Sequence, residues 1–167
     1  MSHVGTRYEF DDKASDYARL AQELAGLLAG ESDLIANAAN TAALIFDALP
    51  NLNWAGFYFL KDGVLVVGPF QGKPACVRIA LGTGVCGTAA AQRTTVVVPD
   101  VQKFPGHIAC DAASRSEIVI PLLLGTMLLG VLDIDSPEPA RFDVADRRGL
   151  EHLAAIFVAS QRAERAE

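Results

Sequence analysis

Apolar positions near the start of the chain recur with helical spacing. In "DKASDYARLAQELAGLLA", residues 12–29, Tyr17, Leu20, Leu24, Leu27 and Leu28 fall three and four residues apart, which predicts an amphipathic helix stopped at Gly30. A second helix is predicted from Ser32, as N-cap, through "DLIANAANTAALIFDAL" to Pro50 and Asn51. The period then changes. "NWAGFYFL" and "GVLVVGPF" are β-rich runs joined by Lys61-Asp62-Gly63, an Asp-Gly turn, and read as an antiparallel hairpin. Alternation puts Trp54, Gly56 and Tyr58 on one face and Phe57 and Phe59 on the other. "CVRIAL" predicts a third strand, "GTAAAQR" a short helical turn and "TTVVVPD" a fourth strand. After an irregular connector over 101–116, "EIVIPLL" and "MLLGVLDID" form a second hairpin around Gly125-Thr126. A helix over about 143–165, capped by Asp143, closes the chain. Helices at both ends of hairpin-linked strands imply an α+β fold, an antiparallel sheet carrying helices on one face.

Composition narrows the function classes. The chain has 167 residues, enough for one domain with a single sizeable core, and it is 51% hydrophobic against 20% charged. With 20 acidic and 14 basic residues, a net charge of -6 and a pI near 5.0, it has no general attraction for nucleic acid or anionic membranes. The longest apolar segment, "VIPLLLGTMLLGVL", covers 14 residues, too few to span a bilayer as a helix. "MSHVGTRYEF" lacks the basic start and apolar run of a secretory signal, and an odd cysteine count suits a reducing compartment, so a cytoplasmic protein is expected.

Candidate chemistry lies in a few short stretches. "GTGVCG", residues 82–87, has dinucleotide-binding spacing, but the few residues between Gly87 and Thr94 cannot supply a crossover helix, so it reads as a tight turn into a short helix. The cysteines Cys76, Cys86 and Cys110 have neither zinc-knuckle nor C-x-x-C spacing. Each can be a buried inert thiol. Cys110 differs in its neighbourhood: "FPGHIACDAASRSEI" is a Gly-containing loop in which His107 and Arg115 favour a thiolate and Asp111 opposes it. In "VLDIDSP", Asp133 and Asp135 share a strand face about 7 Å apart. They form either a solvated strand end or, if buried, a pair in which one carboxyl stays protonated near neutrality.

Glu117 joins the aspartates only in one register. A simple two-residue turn at Gly125-Thr126 places it opposite Ile134, on the wrong face, whereas a bulge or longer loop aligns it with them. The shifted register is expected if the acids form a site. Trp54 and Tyr58 share a face and belong either to a pocket or to the core. His3, His107 and His152 have no metal-ligand spacing to the cysteines, and His152 reads as a surface residue.

"NWAGFYF", "GPFQGKPACVRIALGTGVCGTAA", "VVVPDVQKFPGHIACDAASRSEIVIPL" and "GVLDIDSPEPARFD" together closely resemble the free methionine-R-sulfoxide reductases, a family built on a GAF domain. The resemblance implies a single GAF domain over 1–167, with helices over about 12–50, a six-stranded antiparallel sheet and active-site loops over about 53–136, and the closing helix. It implies thiol-dependent reduction of free L-methionine (R)-sulfoxide, with Cys110 as nucleophile, Cys76 as resolving cysteine and Cys86 as a third cysteine of less settled part. Glu117, Asp133 and Asp135 fall on acidic substrate-binding positions, Glu117 also as a proton donor, and Trp54 and Tyr58 on aromatic pocket positions. A homodimer recycled by thioredoxin or a similar dithiol, with no metal or organic cofactor, follows from the same resemblance. The alternative from another class is a non-enzymatic GAF sensor of a small molecule or of redox state.

Overall fold

A computed structural model describes residues 8–108 and 110–162. His3 and the end expected for the last helix, 163–165, lie outside the described residues. Two helices, α1 (Lys13–Leu27) and α2 (Leu34–Ala48), precede the hairpin of β1 (Trp54–Lys61) and β2 (Val64–Gly72). Next come β3 (Arg78–Ala80), α3 (Gly84–Gln92) and β4 (Val96–Val98), then the hairpin of β5 (Ser116–Leu124) and β6 (Met127–Ser136), and α4 (Val144–Ser160). The strands form one antiparallel sheet in the order β3-β2-β1-β6-β5-β4.

Three local expectations need correction. The N-cap of α2 is Asp33 rather than Ser32, because its carboxylate accepts the Ala36 N–H at 2.7 Å. Helix α3 starts at Gly84, so Cys86 sits in its first turn rather than in the turn before it. Helices also cover both faces: α1, α2 and α4 lie on one, and α3 packs over β5 and β6 on the other. A small helix there leaves part of that face uncovered, and the site occupies the gap.

The helix-rich face is apolar. Alternate residues of β1, β5 and β6, among them Phe57, Ile118, Ile120, Leu132 and Ile134, pack against Leu20, Leu24, Ile45 and Phe157. The rings of Phe57 and Phe157 are 4.6 Å apart. Helix α4 is fixed at its start by a capping box in which Asp143 accepts the Asp146 N–H at 2.9 Å and Asp146 accepts the Asp143 N–H at 3.0 Å. The buried Asp146 carboxylate also receives Lys13 at 2.6 Å, Arg141 at 3.1 Å and the Tyr17 hydroxyl at 2.9 Å, which ties α4 to α1. Gly149 permits this crossing, since a Cβ there would lie 2.2 Å from the Tyr17 ring.

Register decides what the opposite face carries. Leu124 pairs with Met127 and Leu123 with Leu128, as a two-residue turn requires, but Leu122 then pairs with Gly130. Leu129 is the extra residue of a bulge, and beyond it Glu117 pairs with Asp135 instead of Ile134. The shifted register is therefore the observed one. Gly130 makes it possible: its φ is +155°, and a Cβ there would sit 2.0 Å from the Tyr58 carbonyl oxygen.

Candidate active site

Three strands bring one row of side chains together. Trp54 on β1 is opposite Asp135 on β6, which is opposite Glu117 on β5; Asp133 lies one alternate step along β6, across from Gly56 and Val119. Tyr58, across from Val131, completes the same face. Trp54 stacks on Tyr58 at 5.8 Å and on Phe70 at 5.1 Å, and its indole N–H donates to the Lys73 carbonyl at 3.1 Å. The aromatic pair thus forms a rigid wall next to the acids. All three carboxyls line one cavity with both aromatic residues, Cys86, His107 and Cys110.

The acids are buried, with Glu117 5% exposed, Asp133 6% and Asp135 9%. Removal from water and the mutual repulsion of their charges push all three upward, Glu117 from the ordinary 4.5 to about 8. Near neutrality the cluster therefore holds protons that an exposed carboxylate would have released. One oxygen of Asp133, Oδ1, is buried without a hydrogen-bond partner among the described residues. A buried orphan acceptor beside an open cavity suits a ligand that donates hydrogen bonds.

Cys86 donates its thiol hydrogen toward Glu117 Oε1 at 3.9 Å, and burial followed by the nearby acids pushes this thiol well above its ordinary value. Cys86, Glu117 and Asp133 bring one donor atom each within 4.8 Å of one another. A cation placed there would first have to displace the protons that burial keeps on these groups, so the set reads as a proton-holding cluster.

Cys110 is bonded to Cys76, with Cα atoms 5.8 Å apart and a sequence separation of 34. Two loops meet at this bond, one following β2 and one preceding β5. Both are tethered near Trp54. Asn53 donates from Nδ2 to Asp111 Oδ2 at 3.1 Å and to Ser114 Oγ at 2.9 Å, and Lys73 lies 3.9 Å from Asp111. Asp111 accepts the Ala113 N–H at 2.9 Å, which, with its other partners, holds its carboxyl below the ordinary range. The Arg115 N–H donates to the Ser136 carbonyl at 2.8 Å, joining the end of the connector to β6.

Every residue singled out in the sequence as a site residue thus borders or bonds into this one region. Two supporting expectations change. Arg115 is not among the residues lining the cavity, and His107 stands next to Glu117, with Nε2 3.7 Å from Oε2. His152 is exposed on α4, as expected. Asn53, Lys73 and Ser114 were not anticipated; their roles come from contacts between loops distant in sequence, which local patterning does not register.

A six-stranded antiparallel sheet with three helices on one face, and the short α3 beside a cavity lined by acids and cysteines on the other, defines an α+β domain class. Residues 18–160 match the GAF domain family, to which the chain belongs. Within that class it belongs with the free methionine-R-sulfoxide reductases. It is 53% identical over 144 residues to the Escherichia coli protein of that name, covering 86% of this chain and 87% of the relative. The solved Neisseria meningitidis free methionine-R-sulfoxide reductase, in complex with its substrate, is 43% identical with a TM-score of 0.92, covering 98% of this chain and 99% of that one. A Burkholderia vietnamiensis structure described as a GAF sensor protein is 60% identical with a TM-score of 0.87, covering 90% of this chain and 99% of that one.

Proposed function

We propose that this chain reduces free L-methionine (R)-sulfoxide to methionine, with Cys110 as nucleophile and Cys76 as resolving thiol. The observation that carries the reading is the placement of the Cys76–Cys110 bond at the rim of a cavity floored by three buried acids. Sulfoxide reduction needs both parts: a thiol that accepts the oxygen and a group that delivers a proton to it.

The Cys110 thiolate attacks the sulfoxide sulfur as an acid protonates the oxygen; the S–O bond to substrate breaks, methionine leaves, and Cys110 becomes a sulfenic acid. Cys76 then attacks the oxidised sulfur, water departs, and the disulfide forms. Thioredoxin or a similar dithiol returns two electrons by thiol–disulfide exchange, and its own thiols become a disulfide. Glu117 is assigned the proton-donor role, because burial keeps it protonated around pH 7 and its oxygens face the cavity. The aspartates hold the α-ammonium group of the free amino acid, and Trp54 with Tyr58 receives the S-methyl group. Cys86, in contact with Glu117, belongs to the same proton-holding cluster. Carboxylates that bind the free α-ammonium group discriminate against methionine within a peptide, whose nitrogen is an amide.

The rest of the reading, a homodimer without metal or organic cofactor, is supported by the family resemblance, and a cytoplasmic location by the odd cysteine count. A coupled assay with thioredoxin, thioredoxin reductase and NADPH tests the activity: NADPH oxidation with the free R epimer is expected, and none with the folded, reduced protein would sink the assignment. The sensor alternative is favoured only by the name of one relative. Cys110→Ser separates the two, since a reductase loses turnover while a binding module keeps its ligand response.

A further inference from the structure

Each turnover that draws a proton from Glu117 leaves a carboxylate on a buried side chain. That state is costly, and the proton must return before the next cycle. Asp133, Asp135 and Cys86, which line the same cavity as Glu117, are themselves buried and are pushed toward their protonated forms for the same reason. All three are buried, whereas His107 is partly exposed. Its Nε2 is 3.7 Å from Glu117 Oε2, with a side chain 17% exposed against 7% for Glu117. Its backbone is held on the connector by an N–H donated to the Phe104 carbonyl at 3.2 Å. The other charged groups on that wall, Lys73 and Asp111, face each other at 3.9 Å.

We propose that His107 is a positioning residue that returns protons from solvent to Glu117 between turnovers. This rests on Glu117 being the donor in the reaction above. The imidazolium releases the proton on Nε2 to Glu117 Oε2, and the neutral imidazole takes another from water; no electrons move. Burial favours the transfer in this direction, lowering the hold of His107 on its proton while raising that of Glu117.

The test compares first and later turnovers. Reduced wild-type, His107→Gln and Glu117→Gln proteins are mixed with free methionine (R)-sulfoxide, and methionine is followed through one turnover and then in steady state with excess dithiothreitol. For His107→Gln the relay predicts a first turnover at the wild-type rate, about a tenfold fall in steady-state kcat, little change in KM and recovery on adding imidazole to His107→Ala. Equal first and later rates in His107→Gln, loss of the first turnover as well, or no rescue by imidazole would overturn the relay. Imidazole rescue of His107→Ala carries the test by itself if the Gln variant does not fold. A Glu117→Gln protein that keeps its first turnover refutes the donor reading itself, whereas an inactive Glu117→Gln beside an unaffected His107→Gln refutes only the relay.

Discussion

The same three strands bury two unlike surfaces. Facing α1, α2 and α4, the residues Phe57, Ile118, Leu132 and Ile134 meet apolar neighbours and are fully buried. One step along each strand, Trp54, Glu117, Asp133 and Asp135 are nearly as buried, yet three of these four are acids. The first surface supplies stability through packing. The second costs stability, because each buried carboxyl either forgoes ionisation or ionises in a poor solvent. A fold tolerates such a face only where other parts compensate, and that trade marks it as the working surface.

The sharpest way to break the comparison is Glu117→Gln, which should move activity and stability in opposite directions. Turnover should fall by about 10²- to 10⁴-fold, the usual worth of a positioned acid. Folding stability should rise instead. The folded Glu117 titrates near 8 against an ordinary 4.5, so between these values the native chain holds a proton that the unfolded chain has released, and wild-type stability falls as pH rises through that window. Glutamine carries no such penalty, and chemical denaturation at pH 8 should show a gain of about 1–3 kcal/mol. For the same reason, wild-type turnover should decline as pH rises through about 8, which a pH–rate profile of kcat would show.

Phe57→Ala makes the opposite change on the apolar face. It removes a fully buried ring packed against Phe157 and should cost about 3–5 kcal/mol by denaturant unfolding, while protein that remains folded keeps its kcat. A loss of kcat in folded Phe57→Ala protein would mean that the two faces are not separable. The smallest effect is expected at Asp143→Ala, far from the cavity: loss of the α4 cap should lower stability by about 1 kcal/mol with KM and kcat unchanged.

These two surfaces were not equally legible in the sequence. The apolar face follows from alternation, since Phe57 and Phe59 separate from Trp54 and Tyr58 by strand period alone. The acid row does not, because Glu117 reaches it only through the bulge at Leu129, whereas the two-residue Gly125-Thr126 turn by itself gives the other register. What selects between them is the approach of the Tyr58 carbonyl to Gly130, a contact with a strand some seventy residues earlier. The Cys76–Cys110 bond has the same character: no spacing rule joins cysteines 34 residues apart, and only the family resemblance suggested the pair. Asn53, which tethers the connector through Asp111 and Ser114, had no local signal at all.

The central claim is that the acid face and the two loop cysteines act as one reaction centre. Its most direct measurement is a single turnover of fully reduced protein with free methionine (R)-sulfoxide, quenched by thiol alkylation, with methionine counted and disulfides mapped by mass spectrometry. One methionine per active chain, accompanied by a Cys76–Cys110 disulfide and an alkylated Cys86, is the predicted result. Methionine formed without that disulfide, or the disulfide formed equally fast without substrate, would contradict the account.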